Sequence, residues 1–169
     1  MAWAPRGGMT DSPMKSKIYL ETTIISYLTA LPSRDIVQAA HQQITREWWE
    51  RRDRFDLFVS EAVWEEAARG DSDAAARRLA ALEGMAVLAV GLEVSDLAER
   101  FLQMRLIPAK AAVDAVHIAA AVVNGMDYLL TWNCTHIANA AVRSKIENTC
   151  RDIGLHPPMI CTPEELMEE

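Results

Sequence analysis

The chain has 169 residues, half of them hydrophobic and 24% charged, with a formal net charge of −7 at pH 7. That length fits one domain with a substantial hydrophobic core. The acidic balance argues against a general nucleic-acid binder, because neutralising phosphates takes an excess of Lys and Arg; it leaves room for acids gathered at one site and masked by a metal. The longest apolar runs, such as Ile118 to Val123, are far too short to span a membrane. Residues 1–13 lack the apolar centre of a signal peptide. Met9 and Met14 can each serve as a start and MKSKIYLE from Met14 looks like a natural opening, so 1–13 are read as a disordered N-terminal extension and 14–169 as a single domain. Cys134, Cys150 and Cys161 have no metal-type CxxC spacing and leave one unpaired if two bond, which fits a reduced, cytoplasmic setting.

Taken in order, Lys17 to Leu20 carries a short strand signal, followed at once by Glu21-Thr22-Thr23 and the apolar stretch Ile24 to Leu28. A strand ending in an acid and two hydroxyls resembles a site loop more than a surface turn. Pro32-Ser33 breaks the chain, and Ser33 can cap a long helix over 34–54 in which Val37, Ala40, Ile44 and Trp48 recur at helical spacing. The end of that helix mixes Arg46, Arg51, Arg52 and Arg54 with Glu47, Glu50 and Asp53, and reads as a salt-bridged, solvated face. Leu57 to Val59 is the next strand, and Ser60 opens a helix running through Glu61, Glu65 and Glu66 to Gly70. Asp71 starts another helix, Met85 to Val90 forms a third strand, and Val94 to Leu106 an amphipathic helix.

Pro108 then opens a helix over 109–124 that Gly125 stops, with only Asp114 and His117 interrupting its apolar interior. Three residues apart, these two share a face. A carboxylate amid so much apolar surface must be paired, hydrogen-bonded or metal-bound. His117 alone reads first as a satisfied core histidine or one supporting a ligand. Tyr128 to Trp132 is a buried strand that ends in the polar residues Asn133, Thr135 and His136. A helix over 138–153, a short strand at Met159 to Cys161 and the cap-proline-acid start Thr162-Pro163-Glu164-Glu165 close the chain. Strands alternating with helices predict an α/β/α sandwich around a mostly parallel sheet of four to five strands. GxGxxG, GxxxxGK[ST], GxSxG and HExxH are all absent from the sequence, which argues against dinucleotide, P-loop, hydrolase-elbow and zinc-protease chemistry.

Glu21, Glu66 and Asp114 each lie next to a strand, and such positions converge at the carboxyl ends of the central strands of a doubly wound sheet. Taken singly, Glu21 and Glu66 also read as ordinary helix acids complementing the dipole. Together, converging carboxylates repel one another, and a hard divalent cation such as Mg2+ relieves that repulsion. A cation so held can activate water and steady the leaving oxygen of a phosphodiester.

Four segments in order, IYLETTIISYL, VSEAVWEEAARGD, KAAVDAVHIAAA and YLLTWNCTHIAN, with CTPEEL near the end, resemble the PIN-domain family and within it the VapC-type toxins of toxin–antitoxin systems. The resemblance covers the chain from Met14 onward. It implies a PIN-like fold, a Mg2+- or Mn2+-dependent endoribonuclease site built from acids, an RNA substrate, frequent homodimers and a small neutralising antitoxin protein. By position it makes Glu21 the first acid, where the family usually has Asp, Glu66 the second, four before Gly70, and Asp114 the third. Thr23 matches a hydroxyl that orients ligands or water. The last motif usually supplies a further acid; here Asn133, His136 or water takes that place. His136 would favour Mn2+ over Mg2+, and its alternative is to face solvent.

The leading expectation is therefore a ribonuclease hydrolysing RNA phosphodiesters by metal-activated water. Its competitor is a PIN-like binding or regulatory module with weak or lost turnover, favoured by the longer first acid and the missing last one. A metal-dependent phosphatase is disfavoured because no Asp-x-Asp pair follows the first strand. Trp48, Trp49 and Trp64 are candidate anchors for an antitoxin segment on the early helices, their other reading being plain core.

Overall fold

A computed structural model describes residues 14–167, so the extension expected over 1–13 lies outside the described residues. Within them, five strands form one parallel sheet: β1 (Lys17–Leu20), β2 (Asp56–Ser60), β3 (Ala86–Leu88), β4 (Tyr128–Leu130) and β5 (Met159–Cys161), in the spatial order β3-β2-β1-β4-β5. Seven helices join them: α1 (Thr22–Thr29), α2 (Ile36–Glu50), α3 (Glu61–Ala67), α4 (Ser72–Leu82), α5 (Leu92–Gln103), α6 (Ala112–Val123) and α7 (Ala140–Asp152). Ile18, Tyr19 and Leu20 on the central strand are all fully buried. Since successive strand residues point to opposite faces, helices must cover both, as a parallel sheet requires. The α/β class and the parallel sheet expected from the sequence are what the chain forms.

The order of the strands decides where a site can lie. The chain leaves β1 for β2 on one side and later returns to place β4 on the other, so the switch point falls between β1 and β4. Ligand crevices of open α/β sheets form outside the strand ends at that point. The ladder runs one step past each strand there, with Glu21 N donating to Leu130 O at 3.0 Å and Thr131 N to Cys161 O at 3.0 Å.

Several boundaries differ from expectation. Helix α2 begins at Ile36 and not at Arg34, because Asp35 is its cap and accepts from Gln38 N, while the Ser33 hydroxyl accepts from Asp35 N. It ends at Glu50, and a 3₁₀ turn over Arg52–Arg54 follows. The arginines of that end are not salt-bridged among the described residues. Arg46 donates to Ala30 O, Arg51 to Met167 O and Arg52 to Trp49 O, while Arg52 and Arg54 lie over the Trp49 and Phe55 rings. Helix α6 starts at Ala112 after a 3₁₀ turn at Ala109–Ala111, and Gly125 stops it at φ 63°, a conformation that costs an L side chain about 1–2 kcal/mol. Strand β4 is shorter than expected: Thr131 N keeps one backbone bond, and the amides of Trp132 and Asn133 bond to threonine side chains. Trp48 is wholly buried against Phe55, and Trp49 and Trp64 pack half-buried on the core, so Trp48 cannot anchor a partner.

Candidate metal centre

Glu21 follows β1 as the residue that caps α1, yet its side chain makes no capping bond. Its carboxylate, on a residue only 3% exposed, turns inward instead. There Oε2 accepts from Thr23 Oγ1 at 2.5 Å and from Thr131 Oγ1 at 2.6 Å. Each hydroxyl is oriented by an amide behind it: Trp132 N donates to Thr23 Oγ1 and Asn133 N to Thr131 Oγ1, both at 2.9 Å. The hydroxyl protons are thus aimed at one oxygen of Glu21, and Oε1 stays outside these two bonds. This is also why β4 ends early, since the amides of Trp132 and Asn133 just past it go to threonine oxygens.

Glu66 comes from the last turn of α3 and is held in the same way. Its Oε1 accepts from Thr22 Oγ1 at 2.7 Å and meets His117 Nε2 at 2.6 Å. Burial alone would raise its pKa, but the His117 bond and charge, the Thr22 bond and the charge of Arg69 outweigh it and hold the carboxyl below its ordinary value. His117 is fully buried on α6. Burial alone would lower its pKa; the Glu66 bond and the charges of Glu21, Glu66 and Asp114 outweigh it and hold the imidazole above its ordinary value. Glu66 and His117 therefore each favour the other's charged form. The other ring nitrogen, Nδ1, lies 2.7 Å from Tyr19 Oη, which lies 2.7 Å from Ser60 Oγ.

Asp114, one helical turn before His117, pairs with the last expected residue: its Oδ2 lies 2.9 Å from His136 Nδ1. Asn133 Oδ1 accepts from His136 N at 3.0 Å, so its amide closes the turn that presents His136. Among the described residues, the side chains whose ligand atoms lie within 4.8 Å of one another are Glu21, Glu66 and His117. The structure thus brings Glu21, Glu66 and Thr23 together, sets Asp114 with His136 beside them, and commits the Asn133 carbonyl elsewhere. Tyr19, Thr22, His117 and Thr131 join the site without having been expected as its members. Two of these carry a sequence signal: Thr22 as one of the two hydroxyls after Glu21, and His117 by its spacing of three from Asp114.

A common pattern runs through the three acids. One oxygen of each carboxylate is tied to the protein and the other is left over. Two like charges within 4.8 Å repel by about 3.5 kcal/mol or more at an effective dielectric near 20. His117 offsets part of that; a divalent cation on the remaining oxygens would offset the rest, and an all-oxygen set suits Mg2+ or Mn2+. The residues fit such an ion. A cleft of about 290 Å³ opens beside Glu66 between α3 and α6, lined by Glu61, Glu65, Arg69, Val113 and Val116 among others. A larger one, about 410 Å³, lies along α5 near Glu93, Asp96 and Arg100 and holds none of these acids. Of the two, only the smaller cleft is lined by one of these acids, Glu66.

No family model and no curated protein matches the chain. Solved structures do. The Mycobacterium tuberculosis toxin VapC20, described as cleaving the sarcin–ricin loop, aligns with a TM-score of 0.56 at 18% identity, over 70% of this chain and 92% of that one. A chain of the Rickettsia felis VapBC2 complex, bound to a DNA fragment from its promoter, aligns at 0.51 and 13% identity, over 86% of this chain and 98% of that one. The chain shares the fold of these VapC structures, the PIN-like fold that its motifs imply.

Proposed function

We propose that the protein is a Mg2+- or Mn2+-dependent endoribonuclease of the VapC toxin type. What carries the reading is the set of three carboxylates at the switch point, each with one oxygen fixed by the protein and one to spare. Glu21, Glu66 and Asp114 would hold the ion, with His136 next to Asp114. When bound, such an ion supplies the Lewis-acid chemistry that activates water and steadies the leaving oxygen of a phosphodiester. The protein's own part is positional. Thr23 and Thr131 fix Glu21, Thr22 and His117 fix Glu66, and His136 orients Asp114. A small antitoxin would cover the early helices, where Leu31, Ile36 and Val37 stand exposed. A homodimer and a reduced, cytoplasmic setting belong to the same reading; among the described residues, Cys134, Cys150 and Cys161 form no disulfide. Among the described residues, no helix is long and apolar enough to cross a membrane.

One observation favours the competing reading of a binding module with lost turnover. Glu66 is already partnered by His117 at 2.6 Å, and Asp114 is outside the tight group of Glu21, Glu66 and His117. Asp114→Asn separates the two. In the nuclease it abolishes Mg2+- or Mn2+-dependent cleavage of structured RNA, the sarcin–ricin loop being the first to try, and leaves the melting temperature close to wild type. Cleavage that survives in folded Asp114→Asn protein would remove Asp114 from the site. Metal and RNA binding by the wild type with no cleavage would select the binding module.

A further inference from the structure

Behind Glu66 runs a buried chain of polar groups that the proposed chemistry does not use. Ser60 ends β2 and caps α3, the position where a serine hydroxyl ordinarily bonds the helix's first amides. Here it makes no capping bond and sits 2.7 Å from Tyr19 Oη instead. Tyr19 Oη reaches His117 Nδ1 at 2.7 Å, and His117 Nε2 reaches Glu66 Oε1 at 2.6 Å. The chain begins at the cap of α3 and ends six residues later on the same helix. In between it crosses the central strand β1 and helix α6. Ser60, Tyr19 and His117 are each fully buried.

We propose that Ser60, Tyr19 and His117 form a positioning relay that presents Glu66 to a divalent cation. The inference rests on the metal-centre reading above and assigns residues outside it. Two rotations decide where the free oxygen points: the turn of the short helix α3 about its axis, which Val63, Ala67 and the Glu61–Val90 bond also restrain, and the torsion of the Glu66 carboxylate, which Thr22 also holds. The relay pins the first at Ser60 and the second at Oε1, leaving Oε2 for the ion. His117 is a positioning residue and not a ligand, although its ring lies within 4.8 Å of both acids. Both of its nitrogens are already bonded in a place without solvent, so turning one to an ion would orphan a buried partner. Tyr19 sets the ring from behind, as partners of ligand-holding groups do in metal sites.

The test is Mn2+ binding by the full chain without RNA, followed by electron paramagnetic resonance, on wild type, Tyr19→Phe, His117→Gln and His117→Leu. Tyr19→Phe keeps the ring and deletes only the hydroxyl; the relay predicts a loss of Mn2+ affinity of about 10- to 100-fold. His117→Leu loses at least as much, and His117→Gln, whose amide can still donate to Glu66, recovers part of it. If His117→Leu fails to fold, Tyr19→Phe carries the test. A lower melting temperature with unchanged Mn2+ affinity in Tyr19→Phe would make the chain structural only and overturn the relay. So would a nitrogen coupled directly to Mn2+ in a His136→Asn background that disappears in His117→Gln, since His117 would then be a ligand. Wild-type protein that binds no Mn2+ would sink the metal centre itself, and the relay with it.

Discussion

Three neighbouring glutamates show how much a single position decides. Glu61 is exposed, and its Oε2 accepts from Val90 N at 2.8 Å, tying the segment after β3 to α3. Glu65 is exposed on the cleft rim. Glu66 alone turns inward to Thr22 and His117, since successive helical residues point about 100° apart. Losing an ion-holding carboxylate forfeits roughly 3 kcal/mol of charge stabilisation, a factor of about 100 in rate. Glu66→Gln should therefore cut RNA cleavage about 100-fold, with Glu61→Gln and Glu65→Gln within a few-fold of wild type. Equal small losses from all three, measured as kcat/KM on one RNA, would return Glu66 to the role of a solvated helix acid.

At the scale of elements, the Glu66–His117 contact between α3 and α6 makes the metal-free protein's stability depend on pH. Glu66 is held below its ordinary value of 4.5, so its contribution is complete above that value and fades as pH falls through its lowered folded pKa. His117 is held above its ordinary value of 6.5, so its contribution is complete below that value and fades as pH rises through its raised folded pKa. Both are complete between 4.5 and 6.5. Melting temperature in EDTA should plateau there and fall on either side, and His117→Gln should lose the alkaline fall. An alkaline limb identical in His117→Gln would show that another group causes it. Most elements are legible: the alternation of apolar runs and caps locates the strands and every helix but α1 to within a few residues, and Thr22–Thr29 reads only as a site loop and an apolar stretch. What was not legible was the bonding between them. Asp35 and Ser33 are equally good caps by type, and only the fold shows which one meets Gln38 N. The acids at the strand ends were visible; that Tyr19 reaches Ser60, 41 residues away, was not, because Tyr19 reads as one more apolar residue of a buried strand.

For the whole molecule, the sequence order of the strands brings residues from 21, 66, 114 and 136 to one end of the sheet, leaving a net charge of −7 on a protein proposed to bind RNA. The conflict resolves if a cation masks the acids where the phosphate must approach. RNA binding and cleavage should then both depend on the ion and not on a basic surface. The most direct measurement is a metal titration of cleavage by the full chain, stripped with EDTA, on a panel of structured RNAs. The account predicts no cleavage in EDTA and a saturable return with added Mn2+ or Mg2+. Cleavage at full rate with the metal removed would contradict it.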